Sequence, residues 1–383
     1  MKALRNQDVV VGKPLAMAVY DQHGVLLLER GHVVSSESQR QQLLERGFSI
    51  DAEQLGRLRA AIEATQRVDG SQVTSTVRSA GIIERLHQLR DRLRDLQPQI
   101  LHRRAQRLPA QVSELVDRLQ SLTRLDPDAA LAAMPLAEEA LCVHGRPIHA
   151  AVLCQLMAEA AHLDEASTRS LMAAALTHDI ALFPLAQTLH SHQGALPDGL
   201  RAQVDAHPEA GATLLREQGV DDPLWLDIVL HHHERLDGSG YPHALQADAI
   251  HTACRIATLV DTFCAMIRPR AYRQAVVARQ ALKDLFLQRG VQVDGDLTAL
   301  FIRAIGMYPP GALVRLASNE IGVVFRRTDS AAQPLVRRLL GPDGKVCLQR
   351  QRRDTSQPQH AVTDALSAEQ YRALLKSLHR LWG

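Results

Sequence analysis

The stretch Pro223-Leu224-Trp225-Leu226-Asp227-Ile228-Val229-Leu230-His231-His232-His233-Glu234-Arg235-Leu236-Asp237-Gly238-Ser239-Gly240-Tyr241-Pro242 changes character halfway along. Trp225, Ile228 and Val229 recur at helical spacing, and their stripe runs on into His232, with His233 beside it and Glu234 next. The periodicity then stops. Gly238 and Gly240 give the following loop the backbone freedom of a tight turn, and Pro242 closes it. A helix face that ends in adjacent imidazoles carries those rings toward the place where the helix packs.

The same pattern recurs on either side. His149 shares a stripe with Val152, Leu153, Leu156 and Ala160, and His178 shares one with Leu171, Ala174 and Ala175, Asp179 being its neighbour. His207 precedes Pro208, which is expected to open a new helix at its favoured first position. Asp261 lies on a stripe of small residues, Cys254, Ala257 and Cys264, that lets another helix approach. Taken singly, an inward histidine is usually a hydrogen-bonded core residue, and Asp179 would simply orient its neighbour. Five inward histidines and two aspartates on several helices are a different matter, because burying so many ionisable groups is costly unless a metal compensates. Imidazole nitrogens and carboxylate oxygens are ligands for first-row metals, and two metals can share one carboxylate.

The rest of the chain frames this constellation. A chain of 383 residues exceeds what one core usually organises, and 46% hydrophobic content with only 3% aromatic residues predicts a mainly α protein. Residues 1–55 read as a small N-terminal α/β domain, with apolar runs at 9–11, 15–20 and 25–28 and a helix from Glu37 to Arg46 capped by Ser35 or Ser36. Residues 56–130 read as a helical connector, its apolar positions stepping by threes and fours over 82–122 with breaks near Pro98 and Pro109. Its arginines alternate with acids, as on the solvated face of a dimer helix. Residues 131–305 are the histidine-bearing helical domain, with loops at 184–199, 219–223 and 237–242. Residues 306–383 read as a C-terminal β-rich domain with runs at 313–316, 321–325 and 336–340, a linker-like tract at 350–359 and a terminal helix over 367–381.

A formal charge of +2 excludes a general attraction to nucleic acid polymers. The five cysteines form no CxxC pair and lie mostly in apolar helical stretches, which suits reduced thiols and a cytoplasmic setting. The N-terminus lacks an apolar signal core, and no later run is long enough to insert into a membrane.

The pair His178-Asp179, the stretch from His207-Pro208 to Gly211-Ala212, the run from His231 to Pro242 and the segment from Arg255 to Asp261 resemble the HD-GYP branch of the HD phosphohydrolases, over about residues 140–285. The resemblance implies a helical bundle holding two divalent transition metals, iron or manganese, and hydrolysing cyclic di-GMP to pGpG or GMP. His149, His178, Asp179, His207, His232, His233 and Asp261 match the family's metal ligands, with Asp179 as the bridge and Asp179 and His178 at the catalytic centre. Trinuclear members carry a glutamate where this chain has Gly145, so two metals are expected. Arg270 and Arg273, in Arg268-Pro269-Arg270-Ala271-Tyr272-Arg273, match a phosphate-binding basic pair, and Tyr241 matches a residue that touches substrate. Two cations about 3.5 to 4 Å apart polarise a phosphate and stabilise a departing oxygen. The loop at 237–242 implies GGDEF-domain proteins as partners, and the connector helices a homodimer.

Two positions depart from the family pattern. Active members read HDIGK where this chain has His178-Asp179-Ile180-Ala181-Leu182, and the usual aspartate three residues after the last ligand is Cys264. Losing a lysine and an acid together avoids one unpaired buried charge. The expectation is a slow phosphodiesterase; the alternative is a cyclic di-GMP receptor or interaction module with little or no turnover.

Overall fold

The central helix has no charged side chain between Pro147 and Ala158, so it has no face to offer water and is buried all round. In the computed structural model, which describes residues 2–5, 8–16, 19–20, 26–28, 34, 37–46, 48–49, 81–136, 145–267, 276–347, 351–367 and 371, the other helices wrap it. The chain begins with short strands β1 (Lys2–Ala3), β2 (Val19–Tyr20) and β3 (Leu26–Leu28), helix α1 (Glu37–Arg46) and strand β4 (Phe48–Ser49). These strands form an antiparallel sheet in the order β1-β4-β2-β3, over a small core of Leu4, Val9, Leu15, Val19, Val34 and Leu43. The expected run at 9–11 is not a strand. Val9 is buried, but Val10 and Val11 are exposed, so the run lacks a face to pair and pack.

Helices α2 (Ile82–Leu101), α3 (Leu108–Leu125) and α4 (Pro127–Leu136) follow, then the central α5 (Gly145–Ala160) and α6 (Glu165–Thr177). The expected break at Pro98 does not occur; the helix runs on to Leu101. Proline there lacks one amide hydrogen within the last turn, and the reversal comes instead from Arg103 and Arg107, both at positive φ. Pro109 sits in the first turn of α3, where its missing hydrogen is not needed. The apolar stripe Ile83, Leu86, Leu89, Leu93, Leu96 and Ile100 belongs to the same core as α5. The arginines opposite are largely paired with acids, Arg92 with Glu114 at 3.1 Å and Arg103 with Glu217 at 2.8 Å, as a solvated face would be.

A 3-10 turn over Ile180–Leu185 leads into α7 (Ala186–Ser191), so much of the segment expected as a loop at 184–199 is helical. Then come α8 (Asp198–Glu217), α9 (Pro223–His231), α10 (Thr252–Ile267), α11 (Ala278–Gln288) and α12 (Gly295–Ile305). Asp222 caps α9 by accepting from the amides of Leu224 and Trp225, and it also accepts from Ser170 Oγ at 2.6 Å. With Trp225 Nε1 donating to Thr177 Oγ1 at 2.8 Å, this clamps α9 onto the end of α6 and brings His232 beside His178. Among the described residues no helix is long and apolar enough to cross a membrane.

Strands β5 (Leu313–Leu316), β6 (Ile321–Arg326), β7 (Leu335–Leu340), β8 (Arg352–Asp354) and β9 (Val362–Leu366) form an antiparallel sheet in the order β8-β7-β6-β5-β9. The tract expected as a linker at 350–359 in fact supplies β8 and a short 3-10 turn, because its polar residues have partners. Arg353 donates from Nε to Glu320 at 2.7 Å, and Thr355 Oγ1 donates to the Pro334 carbonyl at 2.7 Å. The expected terminal helix over 367–381 lies almost wholly outside the described residues. Leu313, Val323 and Leu339 join the helical core, while Arg326 and Arg327 pair with Asp126 and Asp128 at the start of α4.

Glu320 accepts hydrogen bonds from Arg353, Arg338 and Ser318, which together hold its carboxyl down to about 2 from 4.5. A depressed folded value means stability that is fully present above pH 4.5 and lost as the pH falls toward 2. Glu320→Gln is therefore expected to lower stability by roughly 2 kcal/mol at pH 7 and to flatten the acid limb of a urea-unfolding series. Equal loss at pH 7 and pH 2 would contradict the linkage.

Candidate metal centre

Three histidines of the centre are oriented by the same device. His178 caps the C-terminus of α6, and its Nδ1 lies 3.0 Å from the Ala175 carbonyl; His232 caps α9, its Nδ1 2.8 Å from the Val229 carbonyl. Carbonyls in a helix's last turn have no amide of the same helix to accept from, so a side chain can take them. His207 lies in the middle of α8, where such carbonyls are normally occupied. Here the proline matters: Pro208 has no N–H to give the carbonyl four residues back, which is that of Val204, and His207 Nδ1 sits 2.5 Å from it. Pro208 thus does not open a new helix, as its dipeptide suggests. The helix continues to Glu217, and the proline's contribution is a vacated acceptor.

A carbonyl only accepts, so each of these Nδ1 atoms carries a hydrogen, and the Nε2 atoms of His207 and His232, whose charged forms burial disfavours, present lone pairs to the interior. At His178 burial likewise opposes the charge, but Asp179 and Asp261 outweigh it and raise its pKa, so its Nε2 faces them as a donor until a metal takes the proton's place. His207 Nε2 and His232 Nε2 face one another at 3.2 Å. Two facing lone pairs repel unless a cation or proton lies between them. His207 Nε2 is 3.6 Å from Asp179 Oδ1, a buried oxygen with no hydrogen-bond partner. The rings of His232 and His233 lie 4.1 Å apart, and Asp179, His207, His232 and His233 form one group of converging ligand atoms.

His178, Asp179 and Asp261 form a second group, with His178 Nε2 3.3 Å from Asp261 Oδ1 and 3.6 Å from Asp179 Oδ2. Asp179 belongs to both. Its two oxygens face different groups, as a carboxylate shared between two cations would place them. The donor set of imidazoles and ionised carboxylates fits divalent transition metals. Burial keeps His232 uncharged and pushes His233 down to about 4. Burial also opposes the charges on Asp179 and Asp261, but Arg146 and His178 outweigh it and hold both below the usual carboxylate range.

His149, expected as a seventh ligand, joins neither group. It is buried, pushed by burial to about 3 and therefore neutral, and its Nδ1 lies 3.6 Å from Cys264 Sγ. Tyr241 lies against the centre, stacked on His233 at 4.7 Å and 29°. Arg270 and Arg273 lie outside the described residues. Two residues escaped the sequence reading. Glu234 is buried and accepts from the amides of His243 at 2.7 Å and Leu245 at 3.0 Å, bolting down the loop that carries Tyr241. Arg146 points into the centre and pairs with Asp179 and Asp261. A third cluster, Asp227, His231 and Cys254, is closed by its own hydrogen bonds: His231 Nδ1 to Asp227 at 2.8 Å and Cys254 Sγ to Asp227 at 3.3 Å.

Pro208→Ala restores an amide that competes for the Val204 carbonyl. The expected result is a roughly tenfold loss of Mn²⁺ affinity, read by calorimetry, with no fall in melting temperature. An unchanged affinity would show that the ring needs no such acceptor.

A helical scaffold that ends one helix in a histidine–aspartate pair and gathers further imidazoles around it defines an HD-type metal-binding domain. Residues 88–297 match the HD domain family, more than half of the chain, and the chain belongs to that family; its His178-Asp179 pair and the loop at 237–242 resemble those of the HD-GYP branch. It is 31% identical over 221 residues to Cyclic di-GMP phosphodiesterase PA4108 of Pseudomonas aeruginosa, covering 57% of this chain and 52% of that protein. It is 35% identical over 136 residues to Cyclic di-GMP phosphodiesterase response regulator RpfG of Xanthomonas campestris pv. campestris, covering 35% and 36%. Against 3'3'-cGAMP-specific phosphodiesterase 2 of Vibrio cholerae it is 28% identical over 153 residues, covering 40% and 29%. The chain thus spans about half or less of the length of these relatives.

Proposed function

We propose that this protein is a cytoplasmic, metal-dependent phosphodiesterase that opens cyclic di-GMP to pGpG, and onward to GMP. The observation that carries the reading is the inward convergence of the His207 and His232 nitrogens on Asp179, an arrangement that is repulsive unless a cation or proton lies between the lone pairs. The names of two relatives support cyclic di-GMP as the substrate, and a third relative acts on 3'3'-cGAMP, which makes that dinucleotide the natural comparison. Cys154, Cys254, Cys264 and Cys347 are all unpaired, as a reducing compartment requires.

Asp179, His207, His232 and His233 would hold one cation, and His178, Asp179 and Asp261 the other, iron or manganese in each. When bound, such cations polarise the phosphate, activate water and offset charge on the departing oxygen. Around them the chain's own residues do the positioning. Backbone carbonyls fix the rings of His178, His207 and His232 so that their Nε2 atoms face the centre. Tyr241 walls one side, where it would stack or hydrogen-bond against the bound dinucleotide. Arg270 and Arg273 would bind its phosphates, and GGDEF-domain proteins would dock on the Tyr241 loop. A homodimer through α2 and α3 would use their charged outer faces, since their apolar stripes lie in the chain's own core.

The second reading, a cyclic di-GMP receptor with little turnover, is favoured by Leu182 in the HDIGK lysine's place and by the Arg146 pairing with both carboxylates. Anaerobic purification with metal analysis, followed by chromatography of a cyclic di-GMP digest, separates the two. Metal-loaded protein that binds the dinucleotide but leaves it intact over hours is the receptor.

A further inference from the structure

Arg146 opens the first turn of α5 beside Gly145, and its guanidinium is largely buried. One terminal nitrogen lies 2.7 Å from Asp179 Oδ2, and the other pairs with Asp261 Oδ1. Those are the two carboxylates of the His178, Asp179 and Asp261 group, and the oxygens Arg146 takes are the ones that approach His178 Nε2. Arg146 Nε is buried without a hydrogen-bond partner, so the polar contacts of the guanidinium are those to the two carboxylates. Among the described residues no arginine or lysine pairs with the oxygen that Asp179 turns to the other group, Oδ1, which has no hydrogen-bond partner. The centre is therefore asymmetric: one position has an open ligand set, and the other already contains a cation supplied by the chain.

We infer that Arg146 is an internal counter-cation for the His178, Asp179 and Asp261 position, so that this position takes a divalent metal only by displacing the guanidinium, and the two positions load in order. This rests on the proposed reading that the centre binds two metals. The physical reason is local charge balance. Two buried carboxylates close together are costly unless cations pair with them, and either Arg146 or a metal can serve. A metal arriving there must break two charge-assisted hydrogen bonds, whereas one arriving at Asp179, His207, His232 and His233 finds lone pairs that only repel each other.

The test is anaerobic Mn²⁺ titration of the full chain and of Arg146→Gln, with bound metal counted by mass spectrometry after desalting. The unmodified chain is expected to retain about one Mn²⁺ at a concentration where Arg146→Gln retains two, the weaker constant improving at least tenfold. Matching two-site curves for the two proteins would overturn the inference. If neither protein binds any Mn²⁺, it is the metal-centre reading itself that has failed. A second measurement covers poor folding of the variant: in chelator, Arg146→Gln should melt below the unmodified chain, and saturating Mn²⁺ should raise its melting temperature more. Equal Mn²⁺-induced rises in the two proteins would also overturn the inference, since they would mean that metal and guanidinium do not compete.

Discussion

Asp179→Ala is expected to leave the purified protein with almost no bound metal and to lower cyclic di-GMP turnover by on the order of a thousandfold or more. Asp179 is the one residue common to both ligand groups, so its loss removes a carboxylate from each. The imidazoles that remain on one side, His207, His232 and His233, are neutral and supply no charge against a divalent ion. On the other side Arg146 keeps Asp261 as a partner, and the variant therefore pairs a guanidinium with a single carboxylate rather than stranding it. The fold should survive for that reason, with the thermal midpoint within a few degrees of the metal-free parent. Retention of full metal content in Asp179→Ala would remove this residue from the shared position.

The second large effect is expected from Gly240→Ala. A Cβ at this position would lie 2.5 Å from each of Arg235 N, Glu234 Cα and the His233 carbonyl oxygen, all of them main-chain atoms that cannot swing aside. The loop cannot yield easily either, because the Glu234 carboxylate holds the amides of His243 and Leu245 on its far side. The added methyl must push the turn off the end of α9, carrying Tyr241 away from the His233 ring on which it stacks. Turnover should fall about a hundredfold through lost positioning, and metal content by less than half, since Asp179, His207 and His232 stand apart from the turn. Gly238→Ala should be milder: its obstruction is the flexible Gln246 side chain at 2.8 Å, although its φ of +76° still disfavours any Cβ. If Gly240→Ala turns over within about twofold of the parent, the loop has no part in positioning the substrate.

Periodicity made the helices legible because each buried stripe repeats at the helical pitch and needs only neighbours in the chain to be seen. His178 and His232 were readable as inward residues on that ground, and the run ending in Pro242 marked their setting, whereas His207 was singled out only by its place before Pro208. Periodicity failed where a residue's local preference and its partner disagreed. Pro208 looked like a helix start, yet α8 passes through it because the vacated Val204 carbonyl is taken by His207. The tract at 350–359 looked like a linker because it is polar, yet Arg353 and Thr355 each have a partner brought to them by the fold, Glu320 and the Pro334 carbonyl.

What the chain's own order of residues determined, then, was a helical protein with imidazoles and carboxylates on buried faces and a glycine loop beside them. What only the tertiary structure decided was which of those groups meet: that Asp179 stands in both ligand groups, that His149 pairs with Cys264 instead, and that Arg146 reaches two carboxylates distant in sequence. The reason is that a stripe is a property of one helix, whereas convergence depends on how several helices pack, and a charged side chain finds its partner by electrostatics across the packed interior.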